Sequence, residues 1–517
     1  MPRQTSALLR HIGFVLAALA VLMGSIDGTI VVVALPQLKE SLNTSLSWVG
    51  WTLTSYQLVQ IIMYPLAGKV SDVLGRRRVF LFCVITFTVS SVLCGLAPNV
   101  GVLIVFRALQ AIGGGGLVPS AIGIIADEYR GHRAQAIGLI SSVMPIGSIV
   151  GPNLGGLLLE TWGWRAMFLV NLPVGIVLVL GSVFLLGVGE RKPAKRRLHV
   201  DAVGLLEFTG AIVALMSGMT LIADDPQLAR NPLVWSLFVI SLALAAAFVL
   251  HVRETEDAVM DYRLLARSPF LAANAYNFLF GAVTMGFYSF IPYYAVVKYG
   301  LTPYQSAAVL TPRAAIVTVA SMLASLYVKR LGYRLPMLVG MLFVGATFVL
   351  MGQGWSSVQV GSIGLQGFWL LAVIIAIGGL GMGVANPASN NAAIDQAPDR
   401  AASITGIRGM FRLAGGTISI SCVVLALSLF SDQAAGLDTI FLVFAVILLV
   451  SVPLVLMIPE PGRSQPERLG DRQPVFPVLL SPSHREARPI PTPPVRQPHG
   501  VLAPAAPVRA DRAAGRK

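Results

Sequence analysis

Apolar residues along this chain come in runs of about 20 or more, separated by short polar stretches. A helix rises about 1.5 Å per residue and the hydrocarbon layer is about 30 Å thick, so each run predicts one membrane span. Fourteen runs qualify: 11–36, 47–68, 79–97, 101–126, 134–158, 166–187, 202–222, 233–252, 270–297, 303–328, 335–353, 365–387, 402–429 and 438–458. The third and fourth, and the ninth and tenth, are the least clearly separated. An all-α membrane protein is the predicted class. The first run is too long for a signal peptide and carries Asp27 at its centre, which predicts a retained helix.

Basic residues set the orientation. With the N-terminus in the cytoplasm, the inner side, tail excluded, holds twenty, among them Lys69, Arg191, Lys192, Lys195, Arg196 and Arg197. The outer loops then hold four: Lys39, Arg165, Arg230 and Lys298. This asymmetry predicts a multi-pass protein of the cell (cytoplasmic) membrane with both termini cytoplasmic. The net charge of +14 therefore reports topology, and no nucleic-acid partner is expected. From Pro459 onward the chain carries thirteen prolines and ten basic residues, which predicts a disordered cytoplasmic tail. Such a tail either touches anionic headgroups or is a dispensable extension, and the second is favoured.

Composition removes several classes. Cys83, Cys94 and Cys422 all fall within apolar runs, and no histidine lies deep in one, so neither a disulfide framework nor a metal site is expected. No G-x-x-x-x-G-K-[ST] run is present to cradle a nucleotide, and no nucleophile–base set lies inside a span. The chain does not read as an enzyme and needs no cofactor.

A weak internal repeat orders the spans. Leu74–Arg78 (LGRRR) after the second span recurs as Leu331–Arg334 (LGYR) after the tenth. The pair Gly155 and Gly156 recurs as Gly415 and Gly416, and the stretch Gly113 to Pro119 as Gly379 to Pro387, in the same order. The expected organisation is a six-helix half over 1–190, two inserted helices over 191–260, a second six-helix half over 261–458 and the tail over 459–517.

Four places carry chemistry. Gly68, Asp72, Gly75, Arg76, Arg77 and Arg78 lie in one short inner loop, where carboxylate–arginine pairing would latch one face of the bundle. Asp27 is one of two acids well inside spans, with Glu207, and a carboxylate in hydrocarbon costs about 2.5–3.5 kcal/mol, so it should face a cavity or a partner. Its neighbours Gly24 and Gly28 would admit a close approach. Arg107, Gln110 and Gly114 share a face of the fourth span at i, i+3 and i+7. Gly147, Gly151, Pro152, Gly155 and Gly156 give the fifth span a bend and a small-residue face. Tyr276, Phe287, Tyr288 and Tyr294 of the ninth span, with Arg313 and Arg412, are candidates for the substrate pathway. Arg408 and Arg412 are placed to snorkel toward the inner surface.

These motifs together resemble those of a known family. Gly68–Arg78 looks like the signature between the second and third spans of the major facilitator superfamily. Ser25–Pro36 (SIDGTIVVVALP) resembles the first-span signature of its fourteen-span drug:proton antiporters, the EmrB/QacA group. Phe106–Gly115 (FRALQAIGGG) is similar to the fourth-span proton-transfer motif, and Gly151–Gly156 (GPNLGG) to the fifth-span antiporter motif. Trp162–Gly175, Ile291–Gly300 and the Gly406/Arg412/Gly415/Gly416 pattern fit as well. Departures are Val32 for a usual Asn, Ala111 for a usual Gly and Gly409 for a frequent Asn.

The resemblance implies the major facilitator fold, two six-helix bundles plus two additional central helices. It also implies proton-coupled efflux of amphipathic or lipophilic compounds by alternating access. Asp27 would then carry the proton, with Arg107 competing for its carboxylate. The expected partners are the lipid bilayer, a small amphipathic substrate and protons, with the proton gradient as energy source and a monomer as the working unit. An exporter of one endogenous metabolite (siderophore, antibiotic or lipid) and a non-transporting sensor or scaffold are the alternatives.

Overall fold

The computed structural model describes residues 7–129, 136, 139–140, 143–186, 201–255, 268–396 and 401–460. Among them thirteen helices are long and apolar enough to cross a membrane. The 29-residue helix Leu46–Leu74 is a further one in length, so each predicted run has its helix. The first run is α1 (Ala7–Ile30), a 3-10 turn (Val31–Ala34) and α2 (Leu35–Ser41), bent where Pro36 enters. Next come α3 (Leu46–Leu74), α4 (Arg76–Gly95), α5 (Val100–Glu128) and α6 (Val143–Trp162). The sixth run splits into α7 (Trp164–Leu169) and α8 (Asn171–Leu186), and α9 (Ala202–Asp224) and α10 (Pro232–Glu254) follow. The second set is α11 (Ser268–Tyr299), α12 (Pro303–Ala308), α13 (Leu310–Leu331), α14 (Arg334–Gly352) and α15 (Gly367–Ile394). It ends with α16 (Ala401–Leu427), α17 (Gln433–Val450) and α18 (Val452–Met457).

Local chemistry fixes the breaks that hydropathy left faint. Between α4 and α5, Asn99 caps the new helix by accepting from the Val102 amide at 2.9 Å. Between α11 and α12, Gly300 turns at φ +61°, and Thr302 and Gln305 form a reciprocal capping box. Several helices outrun their apolar runs: α3 reaches Leu74, α5 Glu128 and α15 Ile394. Backbone hydrogen bonding continues past the hydrocarbon boundary, whereas hydropathy reports only the part inside it. A two-stranded antiparallel hairpin, β1 (Ser357–Val360) and β2 (Ile363–Gln366), lies between α14 and α15, where no element was expected.

Packing repeats itself. α5 lies on α3 and α4, as α15 lies on α13 and α14; α6 lies on α1, as α16 lies on α11. Glycines make the contacts close. A Cβ on Gly113 would stand 2.5 Å from the Cys83 carbonyl and the Phe87 amide nitrogen of α4. The first glycine of each repeated pair serves the same contact: Gly155 lies against Ile30, and Gly415 against the Phe278 backbone.

The inserted helices α9 and α10 pack on each other, joined at one end by His251 Nε2 and Asp201 Oδ1 at 2.8 Å. α9 also reaches α3, where Trp51 Nε1 donates to Thr220 Oγ1 at 2.9 Å. Glu207, expected to pair, keeps a buried Oε2 with no hydrogen-bond partner. α10 buries only Val234 and Val252, and large apolar side chains such as Leu233 and Leu242 stand outward, as on a lipid-facing helix.

One residue assigned to the tail belongs to the bundle. Glu460 accepts from the backbone amides of Tyr333 (2.7 Å) and Arg334 (2.9 Å), so its carboxylate caps α14. The Tyr333 hydroxyl donates to Asp395, and burial together with that carboxylate raises its pKa. The tail from 461 onward lies outside the described residues.

Candidate functional site

Asp27 stands mid-way along the first run and has no exposed surface (0%). Its carboxylate accepts three side-chain hydrogen bonds. Arg107 Nη1 donates to Oδ2 at 2.8 Å, Gln110 Nε2 to Oδ1 at 2.8 Å, and Asn171 Nδ2 to Oδ1 at 3.2 Å. Arg107 and Gln110 reach it together because i and i+3 share a helix face, and Arg107 Nη1 also donates to Gln110 Oε1 at 2.7 Å.

The guanidinium is equally enclosed, at 1% exposure. Its Nε donates to the Thr52 carbonyl of α3 at 3.1 Å, and its plane lies over the Tyr56 ring with Cζ 4.1 Å from the centroid. Gly114 leaves room for that tyrosine, since a Cβ there would meet its hydroxyl. Ser91 of α4 accepts from Asn171 at 3.0 Å and donates to the Phe168 carbonyl at 2.8 Å. Five helices (α1, α3, α4, α5 and α8) thus converge on one ion pair.

One expectation is met here and one is not. The acid was expected to face a cavity or a partner; it has partners, three donors from neighbouring helices that replace the water a bare carboxylate would need. Gly24 and Gly28 were expected to admit a close neighbour. A Cβ on Gly24 would meet only Leu117 at 3.5 Å, and Gly28 has nothing within 4 Å.

The glycine face of α6 divides in two. Gly147, Gly151 and Gly155 lie against Ser25, Thr29 and Ile30 of α1, and Ser25 Oγ donates to the Met144 carbonyl at 2.7 Å. Gly156 turns the other way, onto α12, where a Cβ would stand 2.9 Å from Ala307 Cβ and 3.0 Å from the Pro303 carbonyl. Asn153, next to Pro152, donates to Thr311 of α13 at 2.7 Å. Near the same end, α3 and α16 meet through Gly50 and Val424, with Thr417 Oγ1 donating to Gln57 Oε1 at 3.0 Å deeper in.

In the inner loop, Gly75 adopts φ +98° and lets α4 follow α3 directly. Arg76 reaches the Gly123 carbonyl, and Arg77 pairs with Glu128 at 2.5 Å, both on α5. Arg78 also has a partner. Gly68 and Asp72 lie in the last turns of α3, and the Asp72 side chain lies outside what the structure describes.

The candidate pathway residues fall into two groups. Phe287 packs against Phe348 of α14 and Phe441 of α17. Tyr294 donates to Asp438 Oδ1 at 2.5 Å, beside Lys298. Arg313 instead lies over the Tyr288 ring, Cζ 3.8 Å from its centroid. Arg412 does not snorkel: it turns inward to Asn386 Oδ1 at 3.1 Å, near Phe280 and Tyr276. Sequence reasoning missed Asn171, Ser91, Tyr56 and Glu128. Asn171 was the findable one, as an uncharged polar residue early in an apolar run.

Comparison with known proteins agrees with the fold. The profile of the Major Facilitator Superfamily matches residues 17–420 and 277–499. The chain is 31% identical over 428 residues (81% of this chain, 76% of the relative) to the multidrug resistance protein B homolog of Mycobacterium tuberculosis (strain ATCC 25618 / H37Rv). It is 27% identical over 405 residues (78% and 72%) to the multidrug transporter protein MdtP of Bacillus subtilis (strain 168). Its fold is similar to the crystal structure of a bacterial homolog of the human lysosomal transporter Spinster in an inward-facing, unoccupied conformation. That match has a TM-score of 0.61 at 18% identity and covers 88% of this chain and 97% of the other. An all-α integral membrane efflux transporter, this chain belongs to the Major Facilitator Superfamily.

Proposed function

We propose that the protein exports amphipathic or lipophilic compounds across the cytoplasmic membrane in exchange for protons, working as a monomer with both termini in the cytoplasm. The observation that carries this reading is the sealed Asp27–Arg107 pair. A proton-driven carrier needs a carboxyl whose proton affinity depends on conformation. In the closed arrangement Arg107, Gln110 and Asn171 all donate to Asp27. Separation of α1 from α5 and α8 removes those donors, and the carboxyl then takes a proton. Binding and release of that proton are thereby tied to whether the bundle is open or shut. The two helix sets serve as rocking halves in this scheme, with α6, α12 and α13 forming the closed contact on the outer side.

The relatives support the cargo class, since their names describe multidrug or antibiotic resistance and export. The test is accumulation of a panel of lipophilic anions and cations in everted vesicles, with and without an uncoupler. Gradient-dependent accumulation by the unmodified protein and its loss in Asp27→Asn, at equal expression, are expected. Asp27→Asn transport equal to the parent would remove Asp27 from the mechanism.

A further inference from the structure

The second helix set contains three guanidinium groups that no acid balances among the described residues. Arg313 on α13, and Arg408 and Arg412 on α16, have only neutral contacts: the Tyr288 ring, Ser389 Oγ at 3.4 Å and Asn386 Oδ1 at 3.1 Å. The sequences of α11, α13, α14, α15 and α16 include no Asp or Glu. Asp438 on α17 is already held by Tyr294 and Lys298. Guanidinium groups keep their charge at any accessible pH. Each is costly in a span unless something neutralises it. Arg107 in the first set meets that requirement with Asp27; these three have no equivalent.

Position and unused hydrogen-bonding capacity add to the charge. Arg313 lies about 15 Å along from Pro303 and Arg412 about 16 Å along from Ala401, so both sit deep in the bundle. All three arginines pack on one face of α15: Arg313 lies against Gly379, Arg412 reaches Asn386 and Arg408 reaches Ser389, at i, i+7 and i+10. Arg313 Nε, Arg408 Nε and the hydroxyls of Tyr276 and Tyr288 are buried without a hydrogen-bond partner. Donors without acceptors, around aromatic rings and beside permanent positive charge, describe a site lacking its anion.

We propose that Arg313, Arg408 and Arg412, with Tyr276 and Tyr288, bind the anionic group of an amphipathic substrate, so that the favoured cargo is a flat organic anion carrying a carboxylate, sulfonate or phosphate. The aromatic rings take its apolar body, and α16 leads from Arg408 inward to Arg412. This assignment rests on the efflux reading for the word substrate, while the site itself stands on the uncompensated charge. It also divides the labour: Asp27 handles protons in one set and the arginines handle cargo in the other.

The test compares two probes with nearly the same ring system, anilinonaphthalene sulfonate and uncharged phenylnaphthylamine. Both are titrated by fluorescence against the full-length protein in phosphatidylcholine nanodiscs, with empty discs as the blank. The unmodified protein should favour the sulfonate by about tenfold or more, and Arg313→Gln or Arg412→Gln should cut that ratio about tenfold. Lys variants, which keep the charge but lose the planar fork, should fall between. A ratio near one in the unmodified protein, or one left intact by the Gln changes, overturns the proposal. Should phosphatidylglycerol discs abolish the preference, and Arg412→Gln lose co-purified anionic lipid, the site is a headgroup site and the cargo assignment falls. No gradient enters these titrations. Lost proton-driven efflux with the ratio intact would thus sink the efflux reading and leave the anion site standing.

Discussion

Asp27 and Arg107 are each bonded to several partners, so removing one partner does not simply free the other. Arg107→Ala would strand a carboxylate at 0% exposure, and stranded buried charges cost about 3–5 kcal/mol. Asp27→Asn keeps the shape, and the double change Asp27→Asn with Arg107→Gln removes both charges together. We expect the order of apparent melting temperature in detergent to be parent, then double variant, then Arg107→Ala. A double variant less stable than Arg107→Ala would show that the pair does not share its burial cost. At this scale the sequence was readable where chemistry is unusual: an acid and an arginine inside apolar runs stand out. Their neighbours did not. Asn171 and Ser91 come from separate helices whose angular placement is set by packing, which no local pattern encodes.

Helices meet here through notches rather than through interlocked large side chains, and the notches differ in how much room they leave. Gly113→Ala would drive a methyl into α4 backbone at 2.5 Å, and overpacking of that kind costs about 1–3 kcal/mol. At Gly28 the same change meets nothing within 4 Å. Gly113→Ala should lower the melting temperature and the monodisperse yield on size exclusion, while Gly28→Ala should hold both; the reverse order would refute the packing. From sequence the two glycines look alike. The membrane-length helices were legible because hydrocarbon imposes length and composition together. The hairpin at Ser357–Gln366 was not, since eight paired residues outside the hydrocarbon carry no such constraint.

The whole molecule is held at one end by contacts between the two helix sets, and these offer a handle on its motion. Asn153 and Thr311 already touch at 2.7 Å. In a background without the native cysteines, Asn153→Cys with Thr311→Cys should cross-link readily under oxidant, block efflux from vesicles and recover with reductant. Full transport in the cross-linked protein would mean that this contact never opens. At the other end, deletion from residue 463 should spare transport, whereas Glu460→Gln removes one charge from the cap of α14 and should lower stability by about 1 kcal/mol. That cap escaped the sequence reading because a glutamate in a proline-rich stretch shows no sign of its distant acceptor role.

The closed ion pair has an electrical consequence. Asp27 and Arg107 cancel, so the voltage across the membrane finds almost nothing in that cluster to pull on. One proton settling on the aspartate would leave a net positive unit there, and carrying such a unit across the whole field is worth about 2.3 kcal/mol for every 100 mV. Voltage would then bias the loaded cluster and leave the empty one to drift thermally.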